Sequence, residues 1–217
     1  MNPTLAYLLV VLLGYLLGTC NLALLLARLK HVDLSAGSGN PGASNAMILM
    51  GWKAGILVGL HDIGKAALAV ALARWLFPQL PYAGGLAGAA CILGHMFPFY
   101  RRFRGGKGFA SYIGVIAILN WRYALILGAA IIALVLITDY IVAGTMATVV
   151  SFPIYQLATG HYVVGILLVM VSLIIIYKHR QNLVRIFNGT EIGLRSAHRG
   201  EHRAKREQRP IDPQQKE

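Results

Sequence analysis

The chain has 217 residues, 57% of them hydrophobic and only 13% charged, against roughly 25% charged in an ordinary soluble domain. With a mean hydropathy of +0.61, these values exclude an extramembrane globular protein, a disordered chain and a fibrous repeat. They leave an all-α integral membrane protein, with room for about seven spans of roughly 20 residues. The net charge of +12 comes from 20 Lys and Arg against 8 Asp and Glu. In a soluble protein that balance suggests nucleic acid. Here the cations lie between and after apolar runs, so orientation and anionic membrane lipid explain them, and no nucleic-acid partner is expected.

The first apolar run, Thr4–Leu29, has no basic segment before it and is long enough to span. A polar Gly-rich loop follows from His31 to Asn45. The second run, Ala46–Phe77, is too long for one perpendicular helix, so its first turns are expected at the interface. After a turn at Pro78–Tyr82 come the third span, Ala83–Met96, and a basic loop, Pro98–Gly108. The fourth run, Phe109–Leu119, is short for a crossing and predicts a tilted, partly buried or re-entrant helix. Spans at Tyr123–Ile137, Ile141–Leu157 and Tyr162–Tyr177 complete the set. Residues 195–217 read as a basic, disordered tail with no catalytic role. Cys20 and Cys91 lie in apolar segments and give no disulfide framework.

Seventeen Lys and Arg fall on the side of the 31–45 loop, the 98–108 loop and the tail, and two (Arg74 and Arg122) on the other. This asymmetry predicts those loops and the C-terminus in the cytoplasm and the N-terminus outside. Glycines four apart (Gly14 and Gly18; Gly84 and Gly88; Gly51, Gly55 and Gly59) read as close helix packing.

Three polar clusters converge on the predicted cytoplasmic side. The loop Gly37-Ser38-Gly39-Asn40-Pro41-Gly42-Ala43-Ser44-Asn45 contains G-x-G-x-x-G, but no strand precedes it and no Lys follows Gly42, so neither a dinucleotide fold nor a Walker loop is indicated. Glycines still allow successive N–H groups to face one anion, and the next helix would start there. A flexible polar turn is the plainer alternative. In the second loop, Gly105-Gly106-Lys107-Gly108 places a lysine on a permissive backbone, suited to a phosphate oxygen. Arg101, Arg102 and Arg104 read as topology determinants or headgroup contacts, and His95 as structural or functional. After the last span, His179, Asn182 and Arg185 share a helix face, and Asn188-Gly189 stops the helix. Asp62 and Lys65, three apart inside the second run, are functional candidates or an orienting ion pair.

Over residues 1–194 the chain resembles the acyl-phosphate-dependent glycerol-3-phosphate acyltransferases, the PlsY family. That family's GSGN-x-G-x-[ST]-N, G-H-x-x-P with F-x-GGKG, and H-R-x-N with G-T-E segments correspond to Gly37–Asn45, Gly94–Gly108 and His179–Glu191, and Asp62 and Lys65 match its D-x-x-K. The resemblance implies a multi-pass enzyme of the bacterial cytoplasmic membrane, its site facing the cytoplasm; a monomer is the expectation for its assembly, which no motif carries. It would transfer a fatty acyl group from acyl phosphate to the 1-hydroxyl of glycerol 3-phosphate, without metal or organic cofactor. It implies catalytic roles for Ser38, Lys107, His179 and Asn182. Substrate-binding roles would fall to Gly37, Gly39, Asn40, Asn45, His95, Gly105, Gly106 and Glu191, with Gly105 and Gly106 offering N–H groups. No His has an Asp five positions later, so the H-x-x-x-x-D acyltransferase class is not matched.

The departures are Ile48, where the family has Arg, and Thr138-Asp139-Tyr140-Ile141-Val142, where it has T-R-Y-V-S. Losing a charge-assisted phosphate ligand costs about 1.5–3 kcal/mol. Either a nearby Arg compensates (Arg101, Arg102, Arg104 or Arg185), or the acceptor differs, or the activity is weak. A transporter or binding protein for a phosphate-bearing lipid is the reading from another class. It would predict broken helices paired across two repeated halves, and no repeat is seen.

Overall fold

In a computed structural model of the chain, residues 2–191 and 193–194 are described. The expected tail, 195–217, lies outside them. The described residues form nine α-helices: α1 (Pro3–Thr19), α2 (Leu22–Leu29), α3 (Ala43–Met50), α4 (Trp52–Leu76), α5 (Ala83–Met96), α6 (Phe109–Leu119), α7 (Trp121–Thr138), α8 (Ile141–Ala158) and α9 (Tyr162–Phe187). Six segments are long and apolar enough to cross a membrane, with α1 and α2 counted as one. The fourth expected span, α6, has 11 residues, and at 1.5 Å per residue it reaches about half of a hydrocarbon core. It packs against α4, where a side chain at Gly114 would overlap the Ile63 carbonyl.

Two expected continuous helices are broken. The first run divides at Cys20-Asn21, where the Asn21 side chain caps α2 by accepting from Leu24 N–H at 3.1 Å. The same amide donates to the Pro41 carbonyl at 3.0 Å, tying the break to the Gly-rich loop. The second run divides at Gly51, whose φ of +89° is a conformation only glycine adopts easily. Its first turns therefore become a separate short helix, α3.

The glycine spacing is used as expected between α1 and α5. Side chains at Gly14, Gly18 and Gly94 would overlap the backbone carbonyls of Ala87, Cys91 and Tyr15. Gly55 likewise packs on Met47, whereas Gly51 is a break rather than part of a packing stripe. The core runs from Ala66 and Val70 of α4 through Cys91, Ile92 and Met96 of α5 to Phe152, Leu168 and Ile175. Only Leu127 of α7 is buried, so that helix presents most of its surface outward.

Asp62, Lys65 and His95 meet inside the bundle. Lys65 Nζ has three donors and three partners: the Cys20 carbonyl at 2.6 Å, Asp62 Oδ1 at 2.7 Å and His95 Nδ1 at 2.9 Å. His95 Nδ1 therefore accepts, which puts the ring proton of the neutral histidine on Nε2. One ammonium joins the α1–α2 break, α4 and the end of α5.

Candidate active site

Two loops and the end of α9 enclose a cavity of about 600 Å3. Its first wall is the Gly-rich loop. Asn45 is fully buried and closes this loop, accepting from Ser38 N–H at 2.8 Å and donating to the Leu34 carbonyl at 2.9 Å. Gly37, at φ +66°, lies so close that a side chain would strike the Asn45 amide. Gly37, Ser38, Asn40, Gly42, Ala43 and Ser44 line the cavity. Helix α3 starts there from Gly42 without a side-chain cap, so its first N–H groups remain available to an anion. The Ser38 hydroxyl makes no hydrogen bond among the described residues.

The second wall carries Lys107. Gly106 N–H donates to the His95 carbonyl at 3.1 Å and Gly105 N–H to the Met96 carbonyl at 3.0 Å. A side chain at Gly106 would collide with the His95 ring. These two N–H groups, which the resemblance assigns to substrate, here fold the loop back onto α5. They do not line the cavity, and neither do Gly39 and Asn45, whereas Lys107 and His95 do. The buried trio of Asp62, Lys65 and His95 supports Lys107 through this fold.

The third wall is the last turns of α9. Lys107 Nζ donates to Asn182 Oδ1 at 2.5 Å, Asn182 Nδ2 donates to Glu191 Oε1 at 2.5 Å, and Arg185 Nε donates to Glu191 Oε2 at 2.8 Å. The relay fixes the orientation of the Asn182 amide. Gly189, at φ +66°, lets the chain double back, and the Thr190 and Glu191 N–H groups both donate to the Arg185 carbonyl. This turn carries Glu191 to Asn182. Burial pushes Lys107 down to about 8; the Arg185 cation adds to this and Glu191 opposes it. His179 Nδ1 lies 2.8 Å from the Ile175 carbonyl. A carbonyl only accepts, so Nδ1 carries the proton, and Nε2 of the neutral ring is a proton acceptor.

Facing these polar groups is an apolar wall that includes Met47, Phe109, Ile113, Ile141 and Val142. Phe109, Ile113 and Thr145 also line the cavity; nothing in the local sequence separates them from other positions on these apolar helices. Arg185 also lines the cavity, and the helical spacing from His179 and Asn182 was the available signal. Ile48 and Val142 both line it, while Arg101, Arg102 and Arg104 do not. Of the four arginines considered as compensators, only Arg185 is on the wall.

The architecture and cavity together define a multi-pass membrane protein with a polar, anion-suited site set against an apolar wall. A family model described as glycerol-3-phosphate acyltransferase matches residues 8–189. The glycerol-3-phosphate acyltransferase of Shouchella clausii is 38% identical over 202 residues, covering 87% of this chain and 96% of that relative. The crystal structure of PlsY, an integral membrane glycerol 3-phosphate acyltransferase, in its glycerol 3-phosphate form matches with a TM-score of 0.81 at 31% identity, covering 87% of this chain and 95% of that one. Its lysophosphatidic acid form matches with a TM-score of 0.77 at 31% identity, over 86% and 94%. This chain belongs to the glycerol-3-phosphate acyltransferase family, PlsY.

Proposed function

We propose that this membrane acyltransferase moves a fatty acyl group from acyl phosphate to the 1-hydroxyl of glycerol 3-phosphate, giving lysophosphatidic acid and phosphate. The observation that carries the reading is the joining of Lys107, the open start of α3 and His179 in one cavity with an apolar wall. The solved PlsY forms support the same acceptor and product. The 1-hydroxyl oxygen attacks the acyl carbonyl. An ester C–O bond forms, the acyl carbon–oxygen bond to phosphate breaks, and phosphate leaves with that electron pair. The hydroxyl proton passes to His179 Nε2 and on to the departing phosphate. Lys107 and the α3 N–H groups stabilise charge developing on phosphate and carbonyl oxygens. Acyl phosphate is a mixed anhydride, already activated, so positioning carries much of the rate.

The distribution of cations supports a site facing the cytoplasm, with the N-terminus outside. The helix breaks, at Cys20-Asn21 and Gly51, both fall in the N-terminal half and have no counterpart among α7, α8 and α9. This favours an enzyme over a transporter built from repeated halves. A second reading, a different acceptor, is favoured by Ile48 and Val142 standing on the cavity wall.

The test is an assay of purified chain in lipid, with acyl phosphate and acyl-CoA as parallel donors and glycerol 3-phosphate beside other polyol phosphates as acceptors. Product from acyl phosphate and glycerol 3-phosphate alone, lost in Lys107→Ala, is expected. Product only with another acceptor moves the function to the second reading.

A further inference from the structure

A second cavity, of about 700 Å3, lies behind the same two loops. Gly39 and Pro41 line it, while Ser38, Asn40 and Gly42 line the catalytic cavity. Gly105 lines it too, two residues from Lys107. The loops are thus a shared wall between two spaces. The lining of the second has two parts. Leu24, Ala27, Val32 and Leu34 form an apolar side, and Arg28, His31, Arg101 and Arg104 bring cationic or titratable groups.

The side chains of Arg28, Arg101 and Arg104 make no hydrogen bond or ion pair among the described residues. The one acid on the wall, Asp33, turns to Ser35 instead, accepting from its N–H at 2.8 Å and its hydroxyl at 2.5 Å. Three guanidinium groups and one carboxylate leave a net positive space. The turn that presents two of them is strained: Arg102 and Phe103 are consecutive non-glycine residues at φ +51° and +59°.

Depth in the membrane is marked independently. The first candidate span ends at Leu29, the residue after Arg28 on the cavity wall, and the third ends at Arg101, itself on that wall. Phe99, Tyr100 and Phe103, on the same turn, are 55%, 49% and 61% exposed. Exposed aromatics beside arginines at span ends mark the headgroup layer. An apolar side under a cationic rim at headgroup depth suits an amphiphile with a phosphate head, which gives Arg side chains paired oxygens to hold.

We propose that this second cavity binds the phosphate headgroup of an anionic lipid, with the start of its apolar chain against Leu24, Ala27 and Leu34. Because the walls are shared, occupancy also adjusts the loops that carry Ser38 and Lys107. The binding stands without the acyl-transfer reading; the coupling rests on it.

The test uses the full chain in phosphatidylcholine nanodiscs, titrated with a fluorescent phosphatidic acid and separately with inorganic phosphate. Saturable lipid binding is expected. Arg101→Gln/Arg104→Gln together weaken it about tenfold or more, as loss of charge-assisted contacts requires. Arg102→Gln, a neighbouring exposed charge off the cavity wall, changes it by less than about twofold. Inorganic phosphate competes only weakly, since it lacks the chain. Equal weakening by Arg102→Gln, or non-saturating uptake, overturns the site in favour of general surface charge. Phosphate binding as tight as the lipid overturns its lipid character. For the coupling, KM for glycerol 3-phosphate shifts with phosphatidic acid in the unaltered chain and not in the double variant. Intact lipid binding with an unmoved KM overturns the coupling alone. A chain that makes no lysophosphatidic acid leaves the binding curves to decide the site and refutes the acyl-transfer reading separately.

Discussion

At Lys107 one proton decides whether this part of the cavity wall carries a cation. Its ammonium is cationic below about 8 and neutral above, held low by burial and then by Arg185, with Lys178 adding and Glu191 opposing. Activity that needs the cation is therefore complete below that pH and lost above it. We expect kcat/KM to fall above about pH 8 in the free enzyme, and Lys107→Arg, charged at every accessible pH, to lose that limb while running slower. A pH–rate profile of both proteins checks this; an unaltered basic limb in Lys107→Arg assigns it to another group. Asn182→Ala removes the acceptor that fixes Nζ, and kcat is expected to drop about 100-fold, as for other lost transition-state positioning groups. Ile48→Arg adds a cation to the cavity wall and should lower KM for glycerol 3-phosphate about tenfold, read by initial rates across acceptor concentration. That Ser38, Lys107, His179 and Asn182 share one cavity was legible in the sequence, because their motifs set polar side chains at fixed spacing at one end of the helices. The scaffold role of Asn45, Gly105 and Gly106 was not, because a spacing does not reveal which backbone groups a polar residue will satisfy.

Among the elements, the ammonium of Lys65 is the joint on which α4, α5 and the α1–α2 break meet. Lys65→Met leaves Asp62 buried and uncompensated, which costs about 3–5 kcal/mol. Replacing both groups, Asp62→Leu with Lys65→Met, should cost less than Lys65→Met alone, as measured by thermal unfolding in detergent. A double variant less stable than the single would show that the pair stabilises beyond mutual neutralisation. The sequence placed Asp62 and Lys65 on one helix face correctly, since three-residue spacing dictates it. It did not disclose His95 or the Cys20 carbonyl as partners, because those contacts cross between helices. The breaks at Cys20-Asn21 and Gly51 were hidden by uniform hydropathy: an apolar run looks continuous whether or not its backbone is. Only Gly51, with its positive φ, carried a local sign.

For the whole molecule, composition pointed to a membrane protein and the lengths of the apolar runs to helices, and three polar clusters on one side predicted one site. Six long segments and the short α6 now account for the seven apolar runs. The clusters come together because α3, the 98–108 loop and the end of α9 all reach one cavity. If this cavity joins acyl transfer to phosphate release, the two products form together. The direct measurement is the ratio of lysophosphatidic acid to inorganic phosphate formed from acyl phosphate and glycerol 3-phosphate in vesicles. One-to-one formation, with both products lost in Lys107→Ala, is the predicted result. Phosphate release without lysophosphatidic acid, or equal rates in Lys107→Ala, would contradict it.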